Sequence, residues 1–361
     1  MPTERVSQFS IFRTRYLDHE GVPLGPLPAF ATDTTSLIPL YRAMVRTRVF
    51  DAKAVSLQRT GRLGTFASSL GQEAVGVGAA SAMTPNDVLV PAFRDQAAQL
   101  WRGVTPVELL LYWGGDERGS DFSGPRQDFP ISVPVASQVP HAAGVALAFK
   151  LRHEPRASLC ILGDGGTSKG DFYEAINTAG IWRLPLVVLI VNNQWAISVP
   201  RSAQSAAETL AQKAIAAGIP GEQVDGNDVI AVRDRVGQAL DRARTGGGAT
   251  VIEALTYRLG DHTTADDARR YRDDREVSEH WHDDPILRLR QYLVKQAVWT
   301  RDDDEEQLLA SLATEIDQAA ADYLATARQP AGSMFDFLFA TLPAPLAEQR
   351  AQALAEEAGN A

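Results

Sequence analysis

The chain has 361 residues, 45% of them hydrophobic and 22% charged, with a formal net charge of −10. That is the balance of a globular protein long enough for one large α/β domain with appendages, or for two domains. It lacks the basic excess that neutralising phosphates demands, which excludes nucleic acid as an expected partner, and its single cysteine, Cys160, excludes an intramolecular disulfide or a cysteine-built metal cluster.

Residues 1–36 mix Arg5, Arg13, Arg15, Asp18 and Glu20 with Pro23, Pro26 and Pro28. This reads as an irregular arm, without the apolar core of a signal peptide. Leu37 to Gln58 then carries Leu40, Met44, Val45, Val49 and Val55 at helical spacing. Gly71 to Met83, rich in Ala and Gly, predicts a helix packed closely against a neighbour and stopped by Pro85-Asn86-Asp87. Gly114 to Pro134 has no periodicity and predicts a long loop, the kind that is usually functional. A small-residue helix follows from His141 to Leu151.

Three short apolar runs come next, Ser158 to Leu162, Leu186 to Val191 and Thr250 to Leu255. Amphipathic stretches such as Phe172, Ala175, Ile176, Ala179 and Trp182 lie between them. Strand and helix alternate, which predicts a doubly wound, mostly parallel α/β sheet with helices on both faces. The acidic run Asp302 to Glu306 suits a helix N-terminus, and Leu308 to Ala327 continues as a polar-faced helix before an Ala/Glu-rich tail. The expected division is an arm (1–36), a ligand-binding α/β domain (37–300) and a helical C-terminal extension (301–361). The longest apolar run, Leu184 to Val191, is far below the roughly 20 residues that span a bilayer, so a soluble cytoplasmic protein is expected.

In an open parallel sheet ligands bind beyond the carboxyl ends of the strands. The first run ends in Gly163-Asp164-Gly165-Gly166, the second in Asn192-Asn193-Gln194-Trp195, and the third leads to Tyr257-Arg258 and Asp261-His262. A P-loop is excluded because Lys169 is followed by Gly170, and a dinucleotide fingerprint because Ser168 stands where glycine is needed. A divalent-metal diphosphate site fits. Mg²⁺ takes oxygen ligands, and Asp164 offers a carboxylate, Asn193 an amide oxygen and Trp195 a backbone carbonyl, while Gly165 and Gly166 open the backbone to phosphate. Twenty-six residues separate Gly165 from Asn192, room for one helix and one strand. Taken alone, turn glycines and an Asx-capped strand end would explain the same residues.

The motif does not stand alone. Leu70 to Ala74, Gly163 to Glu174, Asn192 to Ser198, Val224 to Asp228 and His262 to Asp267 together resemble the alpha subunits of 2-oxo acid dehydrogenase E1 components, from about Tyr41 to Tyr292, with the pyruvate branch nearest. The resemblance implies thiamin diphosphate and Mg²⁺ as cofactors, with Asp164, Asn193 and Trp195 as metal ligands. It places Phe93 and Arg94 at the family's Tyr-Arg pair, where Arg grips the diphosphate and Phe93 lacks the family hydroxyl. It implies that Val133 and Val135 hold the aminopyrimidine through their backbone, that Ile197 wedges the cofactor into its bent form, and that His262 lies near diphosphate and substrate in a mobile sealing loop. Asp171 and Glu174 match carboxylates of an acidic path between paired active sites.

The implied function is decarboxylation of pyruvate with reductive acetylation of the lipoyl group of an E2 acyltransferase. It requires a separate beta chain in an α₂β₂ heterotetramer, with Gly71 to Ala82 and the helix after Gly170 as candidate contacts. Phe172 and Tyr173, as bulky rings near the cofactor, would favour pyruvate over branched 2-oxo acids. A branched-chain or acetoin dehydrogenase alpha subunit remains the rival enzyme, and a regulatory or structural cofactor-binding subunit the non-enzymatic rival.

Overall fold

The computed structural model describes residues 3–360. Its strands are β1 (Arg13–Thr14), β2 (Val88–Val90), β3 (Ser158–Gly163), β4 (Leu186–Asn192), β5 (Trp195–Ala196), β6 (Val199–Pro200), β7 (Gly221–Asp225) and β8 (Thr250–Leu255). Six form one sheet in the order β1-β7-β8-β4-β3-β2, with every neighbouring pair parallel. β5 and β6 make a small antiparallel hairpin just beyond β4.

Side chains alternate across a strand, and here both faces are apolar, as a parallel sheet covered on two sides requires. Cys160, Leu162, Val188, Ile190 and Val251 face one core with Ala142, Ala146, Phe172 and Ile176, from the helices Gln138–Leu151 and Gly170–Ile181. Leu159, Ile161, Val187, Leu189 and Ile252 face the other with Val75, Ala79, Val232 and Val236, from the helices Glu73–Ser81 and Val229–Arg244. A third cluster joins Leu40, Tyr41 and Met44 to Leu289, Leu293, Leu308 and Leu312. The doubly wound reading of the sequence is thus the observed architecture.

Three strands of this sheet escape the sequence pattern. β2 is only three residues long, and β7, Gly-Glu-Gln-Val-Asp, holds one apolar side chain. β1 lies in the arm expected to be irregular: Arg13 and Thr14 pair with Gln223 and Val224. The Asp228 carboxylate locks this pairing. Oδ2 accepts from the backbone N–H groups of Tyr16 (2.7 Å) and Leu17 (2.8 Å), while Oδ1 caps the helix Val229–Arg244 through Ile230 and Ala231.

The helix Glu73–Ser81 is buried from Glu73 to Ala80. A Cβ on Gly76 would lie 2.7 Å from the Ala97 side chain, and one on Gly78 2.8 Å from that of Val232. Its small residues therefore admit neighbouring helices of the same chain, which corrects the expectation that this stretch contacts another subunit.

One compact unit extends through Ala320, and a second begins at Ala321. The acidic run forms the first turn of the helix Asp303–Ala325. Within it Glu305 also accepts from the Tyr41 hydroxyl and, at 2.9 Å, from Trp299 Nε1. The second unit holds the helix Ala344–Asn360, against which Gly332 packs at Leu354. Among the described residues no helix is long and apolar enough to cross a membrane.

Candidate active site

A cavity of about 620 Å³ opens at the carboxyl ends of β2, β3 and β4. Phe93, Arg94, Val133, Val135, Asp164, Gly165, Gly166, Asn193, Trp195, Ile197 and His262 all line it. Residues from stretches as far apart as 93 and 263 therefore converge on one hollow, as a parallel sheet allows. Asp171 and Glu174 do not line it. They sit in the first turns of the helix Gly170–Ile181, Asp171 half-buried and Glu174 exposed.

On one wall, β3 delivers Asp164 into a short 3-10 turn, Asp164–Ser168. Its Oδ1 accepts from Gly165 N (3.0 Å) and its Oδ2 from Gln204 Nε2 (3.0 Å). Burial pushes its pKa above the usual carboxylate range, a tendency that a divalent cation would reverse. β4 delivers Asn193, whose Oδ1 accepts from Trp195 N (3.2 Å) and whose Nδ2 donates to Gln72 Oε1 (3.0 Å). The Trp195 N–H requires an oxygen there, which fixes the amide orientation. One carboxylate, one amide oxygen and the Trp195 carbonyl are hard donors with lone pairs to spare, and they fit Mg²⁺. A Cβ on Gly165 would meet Ala196 Cβ at 2.7 Å, so glycine also lets the two strand-end turns pack together.

The other wall is cationic. Arg94 is buried, with Nη1 donating to Ser68 O (2.5 Å) and Nη2 to His262 O (2.7 Å). Burial and then the nearby Arg258 lower its pKa to about 10, still a cation at neutral pH. The His262 Nδ1 faces Arg94 Nη2 at 3.1 Å and Arg258 Nη1 at 3.4 Å. Guanidinium groups only donate, so Nδ1 accepts and the proton resides on Nε2. Burial, followed by these two cations, lowers the His262 pKa to about 4. Phe93 keeps the ring in place edge-on, 5.9 Å between centroids.

Ile197 is 55% exposed and has φ of +55°. A β-branched residue there is a true outlier that costs on the order of 1–3 kcal/mol. Arg258 Nη2, bonded to the Ile197 carbonyl at 2.8 Å, holds the strained turn. Val133 and Val135 are likewise exposed, and Ala136 beside them has φ of +70°.

One expectation needs correction. Phe172 is fully buried in the sheet core and the Tyr173 ring is 42% exposed, and neither lines the cavity. The aromatic side chains that do line it include Phe93, Trp113 and Trp195. The loop after Asp261, a mobile seal by the resemblance, is pinned at its far end: Arg272 is buried and donates to the carbonyls of Arg258, Leu259 and Gly260, and the Tyr271 hydroxyl bonds Asp266.

Sequence reasoning missed Arg258, Gln204, Asp95 and Gln138. Arg258 lies just past β8, after Thr256 and Tyr257, and could have been suspected from that strand-end position; it also donates to Trp195 O (3.2 Å). Asp95, buried in the cavity wall, has its pKa raised to about 7 by burial. Gln138 donates to Ile161 O (3.1 Å), while its buried Oε1 has no partner. Nothing in the local sequence marks Gln138 or Gln204.

With this geometry in view, comparison with known proteins is decisive. Residues 41–330 match the family described as Dehydrogenase E1 component. The chain belongs to that family. It is 40% identical over 314 residues, 87% of its length and 85% of the relative's, to the pyruvate dehydrogenase E1 component subunit alpha of Staphylococcus aureus. The subunit of the same name from Staphylococcus epidermidis gives the same identity and coverage. In this E1 chain the family match spans every residue that lines the cavity.

Proposed function

We propose that this chain is the alpha subunit of a pyruvate dehydrogenase E1 component, acting in the cytoplasm with thiamin diphosphate, Mg²⁺, a beta chain in an α₂β₂ assembly, and a lipoylated E2 acyltransferase. The observation that carries the reading is the single cavity shared by hard oxygen donors on one wall and a buried guanidinium beside a neutral imidazole on the other. The bound cofactor supplies the nucleophilic carbon and electron sink for decarboxylation, and the protein supplies position.

Asp164, Asn193 and the Trp195 carbonyl hold the metal, and Arg94 grips the diphosphate with charge-assisted hydrogen bonds. The backbone at Val133 and Val135 would hold the aminopyrimidine ring, and Ile197 would support the cofactor in its bent form. His262, neutral and carrying its proton on Nε2, donates to a developing negative charge near the reacting carbon. Asp171 and Glu174, outside the cavity, contribute an acidic path toward the second site of the assembly. A subunit retained only for structure would gain nothing from backbone strain at Ile197, which favours an enzyme.

The choice of pyruvate rests on the similarity to the staphylococcal subunits, since the rings once expected to set substrate size lie elsewhere. Co-expression with the beta chain, followed by decarboxylation kinetics, tests it. Pyruvate is expected to exceed 2-oxoisovalerate in kcat/KM by roughly tenfold, the scale of one or two methylenes. A 2-oxoisovalerate value equal to or above that of pyruvate would replace this reading with the branched-chain one.

A further inference from the structure

Behind the cavity, on the helix Ile38–Arg59, lies a buried carboxyl that no part of the proposed chemistry uses. Asp51 Oδ2 accepts from Ser69 N (2.5 Å), Ser68 Oγ (2.8 Å) and Ser69 Oγ (2.9 Å). Its Oδ1 is buried with no partner. The segment it holds, Phe66 to Ser69, is attached on its far side to both cationic-wall residues. Ser68 O accepts from Arg94 Nη1, and Phe66 exchanges two bonds with Thr264, N–H to Oγ1 at 3.0 Å and O from Thr264 N at 2.9 Å. Thr264 is two residues past His262, and Gln96 Nε2 anchors the intervening Ala67 carbonyl at 2.6 Å.

We propose that Asp51 is a positioning residue, which clamps Phe66–Ser69 so that the Arg94 guanidinium and the His262 loop are set in one frame. The proposal rests on the reading of Arg94 as diphosphate ligand. Arg94 Nη1 and Nη2 are each occupied, by Ser68 O and His262 O, so the direction of the fork toward the cavity is decided by where those two carbonyls lie. One of them is placed by Asp51. All three donors fall on Oδ2 alone, so the clamp needs an acceptor rather than a charge. Burial of the group, which raises its pKa to about 7, agrees with that.

The test uses the alpha chain co-expressed with its beta chain, with the Kd of thiamin diphosphate measured by calorimetry at saturating Mg²⁺ alongside the KM for pyruvate. Arg94→Ala sets the scale, with an expected loss of roughly 100-fold. Asp51→Asn, which keeps an oxygen for the three donors, is expected within about threefold of wild type, and Asp51→Leu about tenfold weaker or more. The Ser68→Ala/Ser69→Ala double variant retains the Ser69 N–H bond, so it preserves the fold should Asp51→Leu fail to; it is expected to weaken the Kd about fivefold with KM unchanged. Rescue by Asn, and a Kd that moves without KM, separate positioning from general destabilisation. Equal losses for Asn and Leu, or an unchanged Kd in the serine double variant while Arg94→Ala is impaired, would overturn the clamp alone. An unimpaired Arg94→Ala would remove the diphosphate reading beneath it.

Discussion

The two walls of the cavity are built by different means. Asp164 and Asn193 stand directly at the ends of β3 and β4, whose ladder runs unbroken from Ser158↔Leu186 to Gly163↔Val191. Arg94 and His262 stand on loops whose positions depend on side chains reaching back to carbonyls: Arg94 to Ser68 and His262, Arg258 to Trp195 and Ile197, Arg272 to three successive carbonyls. A ladder wall opens only with the sheet, whereas a side-chain-pinned wall can release locally. On the proposed function, the side that would hold the metal is fixed by the sheet, while the side that would hold the diphosphate and present His262 can loosen without it.

The sharpest way to break this comparison is at the fixed wall. Asp164→Ala is expected to weaken Mg²⁺-dependent binding of thiamin diphosphate by at least about 100-fold, since a hard anionic ligand is lost, while thermal unfolding changes little. Calorimetry that finds cofactor affinity intact would remove Asp164 from the metal site. At the pinned wall, Arg272→Met leaves three carbonyls without their donor, a local cost of about 1–3 kcal/mol. Tryptic cleavage after the exposed Arg269 and Arg270 should accelerate by roughly tenfold, and cofactor with Mg²⁺ should slow it again in the assembled enzyme. Cleavage at the wild-type rate would mean that Arg272 is not the pin.

Ile197 tests whether the strained turn between the walls is kept for function. Ile197→Gly relieves the positive φ and gives up little burial, so it should raise stability by about 1 kcal/mol while lowering kcat. A variant less stable than wild type, judged by denaturant midpoint, would contradict the strain argument. The smallest expected signal concerns His262. With its pKa lowered to about 4 by burial and two arginines, it should show no protonation in ¹⁵N-histidine spectra between about pH 5.5 and 8, and the Nε2–H tautomer throughout. The unfolded chain takes up this proton first as pH falls below about 6.5, so the stability present above that pH is lost progressively toward pH 4. A His262 resonance that titrates near 6.5 would show that the cations are not beside it.

The contrast also explains what could be read from sequence. The long apolar strands β3, β4 and β8 and the motifs at their ends announce themselves, because a buried parallel strand must be apolar along its length and a ligand site must sit at its end. Short strands such as β2 carry too few residues for any period, and β1 owes its pairing to an aspartate more than 200 positions away, Asp228. Ring placement failed similarly: Phe172 and Tyr173 are close in sequence to the Asp164–Ser168 turn, but the helix starting at Gly170 turns one into the core and the other to the surface. Arg272 and Asp51 act through contacts with other segments, which leave no local trace.

The helix Glu73–Ser81 carries one further consequence, for the mutability of the enzyme. It is wedged between the helices Gln96–Arg102 and Val229–Arg244 with no space for a methyl group at Gly76 or Gly78. The residue that begins it, Gln72, supplies the oxygen that receives the Asn193 amide. An alanine at either glycine forces this helix and its neighbour apart, and any shift of the helix carries Gln72 with it. A methyl group added in the core would therefore be read out as a change in catalysis, and a library meant to tune activity without touching the cavity should begin at these two glycines.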